Sequence, residues 1–150
     1  MSKKWVIIAM IVLLASISCK ATKSEGNWTE DYTAAVQKAK DTDKTILINF
    51  TGSDWCGWCM KLSKEVFTQP EFQEYATGNL ILFKADFPNK IKQTEQLKTQ
   101  NQALAKKYNI EGFPTILLLD KDEQVLGQTG YQYGGAKSYV QHLKGFIEKQ

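Results

Sequence analysis

Asp54-Trp55-Cys56-Gly57-Trp58-Cys59-Met60-Lys61 joins an apolar run to an amphipathic one, and its reading decides the fold. Upstream, Thr45 to Phe50 (Thr-Ile-Leu-Ile-Asn-Phe) is nearly continuous in apolar residues, as a central strand covered on both faces requires. Downstream, Leu62, Val66 and Phe67 keep helical spacing behind Cys59. Cys56 therefore stands on the first turn of a helix, where unpaired backbone N–H groups and the positive end of the dipole favour thiolate over thiol. Cys59, three residues on, shares that face and is close enough to attack a disulfide formed at Cys56. Such a pair supports a two-step exchange, in which Cys56 attacks a substrate disulfide and Cys59 displaces the reduced substrate.

Two inert readings compete. A C-x-x-C pair can be half of a zinc site, but a closed site needs four ligands. The other candidates are Cys19 near the N-terminus and the single histidine, His142, far along the chain, so no metal site is expected. A static disulfide is the second, and the small loop between strand and helix argues against it.

Working outward, residues 1–19 carry a short basic start (Lys3, Lys4), a nearly unbroken apolar stretch from Trp5 to Ile17, then Ser18-Cys19. The stretch is short of the roughly 20 residues a spanning helix needs, so it reads as a secretory signal. Ser16-Ile17-Ser18-Cys19 resembles the cleavage box of bacterial lipoproteins, with Ser16 where that family most often has Leu. That resemblance implies removal of residues 1–18 and lipidation of Cys19; an uncleaved anchor and ordinary cleavage nearby are the alternatives. Residues 19–27 read as a polar tether and 28–150 as one domain.

From Thr29, read as an N-cap with Glu30 and Asp31 in the first turn, Tyr32, Ala35, Val36 and Ala39 recur at helical spacing. Past the motif, Pro70 marks a break or new start, with a short helix over Glu71 to Ala76. Leu80 to Phe87 reads as a second buried strand. Helical spacing resumes at Leu97 and continues through Ala103, Leu104 and Tyr108, with Asn109 suited to a left-handed cap. Gly112-Phe113-Pro114 leads into a third strand, Thr115 to Leu119. Asp120 to Glu123 turns into an antiparallel partner, Val125 to Gln128, and a final helix starts near Ala136. This order predicts an α/β fold, a central mixed β-sheet flanked by helices on both faces, with parallel crossovers first and a hairpin closing the sheet.

Composition narrows the partners. All 19 positive residues are Lys, and losing Lys3 and Lys4 leaves 17 against 16 acidic residues, a charge near +1. Without arginine forks to read guanine or clamp phosphate, nucleic acid is not expected as a partner.

Trp55-Cys56-Gly57-Trp58-Cys59 resembles the Trp-Cys-Gly-x-Cys signature of the thioredoxin superfamily, and Gly112-Phe113-Pro114-Thr115 resembles its cis-proline loop. Phe50 to Asp54 together with Glu65-Val66-Phe67 looks like the secreted bacterial thioredoxin-like proteins. The resemblance implies a thioredoxin fold from about Trp28 to Gln150 and a thiol–disulfide oxidoreductase. Cys56 would be the nucleophile and Cys59 the resolving thiol. Pro114 would be cis, the Phe113 backbone would pair with an extended substrate, and Trp55, Gly57, Trp58 and Phe113 would surround Cys56. It implies no metal or organic cofactor beyond the redox-active disulfide. Expected partners are protein thiols and disulfides, and a membrane or thioredoxin-like protein that resets the pair. The protein is expected to be a periplasmic, lipid-anchored monomer.

One residue departs from the family: many thioredoxins carry a buried Asp where Asn49 stands, and an amide cannot take a proton from Cys59. The reading of Asn49 is a hydrogen-bonded core amide, with Asp54, Glu65 or Asp86 as bases acting through water. The Gly57-Trp58 dipeptide leaves direction open, and a rim without His leans toward reductase or isomerase rather than strong oxidase. The rival is a non-catalytic lipoprotein that holds clients by its aromatic rim.

Overall fold

The computed structural model describes residues 26–148. The expected signal segment and Cys19 lie outside them, as does most of the tether. Nine regular elements follow: α1 (Tyr32–Thr42), β1 (Thr45–Thr51), α2 (Gly57–Leu62), α3 (Pro70–Asn79), β2 (Leu80–Asp86), α4 (Glu95–Lys107), β3 (Thr115–Leu119), β4 (Val125–Thr129) and α5 (Gly135–Ile147). A π-helical turn, Ser63–Phe67, prolongs α2, with Thr68 N–H donating to Ser63 O at 3.0 Å.

The four strands lie in the order β2-β1-β3-β4. β1 runs parallel to β2 and antiparallel to β3, and β3 and β4 form the expected antiparallel pair. The expectation of parallel crossovers holds once. After α4, residues 108–114 return the chain to the end of the sheet at which β2 left it, so Thr115 enters opposite Phe50 and β3 runs antiparallel.

The alternation of each strand divides the core. Leu47, Leu82, Ile116 and Leu118 face α3, α5 and the turn after α2, against Leu62, Phe67, Phe72, Tyr139 and Leu143. Ile46, Ile48, Phe50, Phe83 and Leu117 face the opposite way, against Ala35 and Ala39 of α1 and Leu104 of α4. Helices thus cover both faces, as the sequence pattern requires.

Two local expectations change. Asp31, not Thr29, caps α1, its carboxylate accepting from Ala34 N–H at 2.9 Å. Thr29 is used otherwise: its N–H donates to Leu82 O and its carbonyl accepts from Lys84 N–H, both at 2.9 Å, which extends the sheet past β2. Pro70 is the new start rather than a break, occupying the first turn of α3, where its missing N–H costs no helical bond. Asn109 adopts the expected left-handed conformation, φ 51°.

Gly127 of β4 lies directly under Phe146 of α5. A Cβ there would fall 2.2 Å from the ring, a distance that only displacement of the ring can relieve. Gly127→Ala should therefore destabilise the fold by about 1–3 kcal/mol, measured by urea unfolding, and adding Phe146→Leu should recover part of the loss.

Candidate active site

The apolar β1 ends at Thr51, and Gly52 to Cys56 form the turn that passes from strand to helix. Cys56 N–H donates to Gly52 O at 2.8 Å, and Trp55 folds its indole back over Gly52, where a Cβ would meet the ring at 2.4 Å. Glycine is required there because the ring occupies the side-chain space.

Cys56 caps α2, and its sulfur accepts from Cys59 N–H at 3.2 Å. The two cysteines form a disulfide. Both are buried, at 7% and 5% exposure, whereas the flanking Trp55 and Trp58 are 45% and 51% exposed. These two indoles are therefore a surface rim and not core.

The Phe113–Pro114 peptide bond is cis. Phe113 stacks on Phe87 with ring centroids 5.1 Å apart, and meets Trp55 edge to face at 5.9 Å. The Trp55 indole N–H donates to Phe87 O at 2.8 Å. The structure thus brings Trp55 and Phe113, far apart in sequence, into one aromatic wall beside the cysteine pair. Asp54 fixes the adjoining loop, accepting from the backbone N–H groups of Asn89, Lys90 and Ile91 at 2.6–3.0 Å. These bonds, Asn89's foremost, hold its carboxyl below the ordinary range. Asp54 is thereby an anchor for the loop.

Trp58 belongs to a second wall that sequence reasoning missed. Its ring lies 5.2 Å from that of Tyr131, which lies 5.3 Å from Tyr133. The Lys61 ammonium lies 5.1 Å from the Trp58 and Tyr131 centroids and 5.5 Å from that of Tyr133. Tyr131 donates to Glu65, and that bond raises the phenol's pKa above its usual value. The signal was Gly130-Tyr131-Gln132-Tyr133-Gly134, two tyrosines between glycines, which says nothing of the motif they will meet.

Behind the pair, a cavity of about 890 Å³ is lined by Cys59, Asn49, Thr51, Ser53 and Glu65, among others. Asn49 is buried as expected, but its Oδ1 has no hydrogen-bond partner, so the expectation of a satisfied core amide fails. Asp86 is buried too, at 5% exposure, and its carboxylate is held by Ser53, through the backbone N–H at 2.9 Å and the hydroxyl at 2.5 Å. Among the described residues, no group of acidic, His and Cys side chains is placed to hold a metal ion, and no helix is long and apolar enough to cross a membrane.

A model of the thioredoxin-like domain family matches residues 32–145. The chain belongs to that family. Among its relatives is the disulfide bond reductase DsbH of Chlamydia pneumoniae, 34% identical over 119 residues, covering 79% of this chain and 72% of that protein. The thioredoxin-related protein DsbJ of the same organism is 33% identical over 81% of this chain, which spans only 37% of that longer protein. A solved structure of a DsbH oxidoreductase superposes with a TM-score of 0.80 at 32% identity, covering 85% of this chain and 88% of that one. A thioredoxin from Thermus thermophilus, at 15% identity and a TM-score of 0.61, shares the fold. The thioredoxin-like fold expected from the two motifs is thus the one observed.

Because the Asp54 carboxyl is held low, its contribution is complete at neutral pH. It is lost as pH falls below the ordinary value of 3.8 and through the folded one. Asp54→Asn should speed amide hydrogen exchange at residues 89–91 at pH 7, read by mass spectrometry. In the unsubstituted protein, protection there should fall with acidification before the sheet unfolds.

Proposed function

We propose that this thioredoxin-like protein is a protein-disulfide reductase of the extracytoplasmic space, with Cys56 as nucleophile and Cys59 as resolving thiol. The observation that carries the reading is the Cys56–Cys59 disulfide at the start of α2, beside the cis Phe113–Pro114 bond. Kinship with a protein named a disulfide bond reductase supports reduction as the direction.

The chemistry follows from the placement. In the dithiol, the Cys59 N–H that now reaches the Cys56 sulfur, together with the helix start, stabilises a Cys56 thiolate. That thiolate attacks one sulfur of a substrate disulfide and expels the other as a thiolate, leaving a mixed disulfide. Cys59, as thiolate, then attacks the Cys56 sulfur, so the Cys56–Cys59 bond forms and the second substrate sulfur leaves. Two electrons pass to the substrate, and a dithiol partner, membrane-bound or thioredoxin-like, restores the pair. No metal or organic cofactor enters the reaction.

Substrate would lie between the two aromatic walls. The Phe113 backbone is placed at the entrance to β3, where an extended segment can add as a strand, and Trp55, Gly57 and Trp58 flank the reacting sulfur. Localisation rests on the sequence: the signal-like residues 1–18 and the lipoprotein-like Cys19 support a periplasmic, lipid-anchored protein, working as a monomer.

Reduction of insulin by a thiol donor tests the assignment. Cys56→Ser should abolish catalysis, and Cys59→Ser should accumulate mixed disulfides that mass spectrometry identifies as protein clients. Undiminished turnover by Cys56→Ser would sink the reading. Client capture that survives loss of both cysteines, with no exchange, would make the protein a binding module.

A further inference from the structure

Resolution requires Cys59 to lose a proton inside the protein, and Asn49, on the wall of the cavity behind it, cannot accept one. The β1/β2 register shows where a carboxylate is available. Asn49 pairs with Lys84 and Thr51 with Asp86, so by the two-residue period of a strand Asp86 lies on the face that carries Leu80 and Leu82, the face covered by α3 and α5. Asp86 is thus one pleat nearer the motif than Asn49, and buried.

Between Asp86 and the cavity stands Ser53. Its hydroxyl donates its one hydrogen to Asp86 at 2.5 Å, which leaves the oxygen's lone pairs free to accept from the cavity it lines with Cys59. The orphaned Oδ1 of Asn49 is a second acceptor on that wall, and the space is large enough for water between such groups.

Resting on the oxidoreductase reading, we propose that Asp86 is the proton acceptor for Cys59, reached through the Ser53 hydroxyl and cavity water oriented by Asn49. During resolution the Cys59 proton passes to water, water protonates Ser53 Oγ, and the Ser53 hydrogen moves to Asp86. The sulfur attacks Cys56 as a thiolate, and the departing substrate thiolate takes a proton back along the same path or from solvent. Electrons move only in the disulfide exchange; the relay moves a proton. The other titratable groups on the cavity wall, Lys64 and Glu65, lie on the π-helical turn. Of these, Glu65 is engaged by Tyr131 and by Lys61 at 4.0 Å.

Asp86→Asn separates relay from scaffold. The amide introduced by that substitution can still meet Ser53 N–H with its oxygen, but its NH₂ must donate to the Ser53 hydroxyl, reversing the bond and closing the path. Single-turnover mixing of the reduced protein with a disulfide peptide, followed by acid quench and mass spectrometry, reports mixed-disulfide formation and resolution separately. Asp86→Asn and Ser53→Ala should each slow resolution at pH 7 on the order of a hundredfold, the low end of general-base effects, and leave formation unchanged. The difference should close above about pH 8.5, where a free cysteine ionises unaided. Asn49→Asp, which puts a carboxylate on the same wall, should restore resolution in the Asp86→Asn background, and Glu65→Gln should not reproduce the pH-dependent deficit in resolution.

Unchanged resolution in both Asp86→Asn and Ser53→Ala overturns the relay. So does a deficit equal at every pH, or one that Glu65→Gln reproduces. If the unsubstituted protein forms no mixed disulfide at all, the oxidoreductase reading fails first, and the relay falls with it.

Discussion

Ile46, Leu47, Ile48 and Phe50 are fully removed from water, alternately by the two helical layers, and this double burial of β1 is the constraint on which the site depends. Each such side chain is worth about 1.5–3 kcal/mol when buried. The four together rival the whole net stability of a domain this size, about 5–15 kcal/mol. A slip of one residue would exchange the two faces and place Asn49 and Thr51 in the layer beneath α1 and α4. The register of β1 is thus held by its hydrophobic residues. It is the same register that delivers Gly52 to Cys56 to the sheet's end, opposite the entrance to β3 where Pro114 stands.

What surrounds the cysteines is held by polar bonds made at loop ends. Asp54 gathers three backbone N–H groups, Trp55 ties itself to Phe87, and Asp86 secures Ser53 from both its N–H and its hydroxyl. In this way the strand-to-helix turn is fastened to the segment that follows β2 at two points. The aromatic rings then need only pack on a frame already set, which is how indoles half exposed to water keep defined positions. The Lys61 cluster does the same on the far side, with an ammonium shared among three rings and Glu65.

The legible parts of the chain were those in which one residue type has one strong physical reason. Continuous apolar runs announced β1, β2 and β3, helical spacing announced α4 and α5, and the cysteine pair at a strand-to-helix join announced the chemistry. Thr29 was misread because Thr, Glu and Asp in succession all suit a helix start, and only the edge of β2, distant in sequence, takes Thr29 for a bridge. The antiparallel entry of β3 was likewise invisible, since it depends on how far residues 108–114 return along the sheet. Tyr131, Tyr133 and Ser53 were missed because their meaning lies in partners 33 or more residues away or in Trp58, which nothing local predicts they will touch.

Asn49 shows why local reading runs out at the site itself. Asn49 Oδ1 has no protein partner, and unless cavity water meets it a buried carbonyl oxygen costs about 1–3 kcal/mol, a cost that an apolar residue of similar volume would avoid, as Leu47 does one pleat away. A carboxylate there would cost more, because nothing beside Asn49 donates to its oxygen, whereas Asp86 meets two donors from Ser53 that compensate its burial. The acid is therefore found where the turn can satisfy it, and the amide where no protein donor is at hand to compensate a charge. Burial energetics alone give no reason for an amide at residue 49; the proposed relay, in which its Oδ1 orients cavity water, gives one.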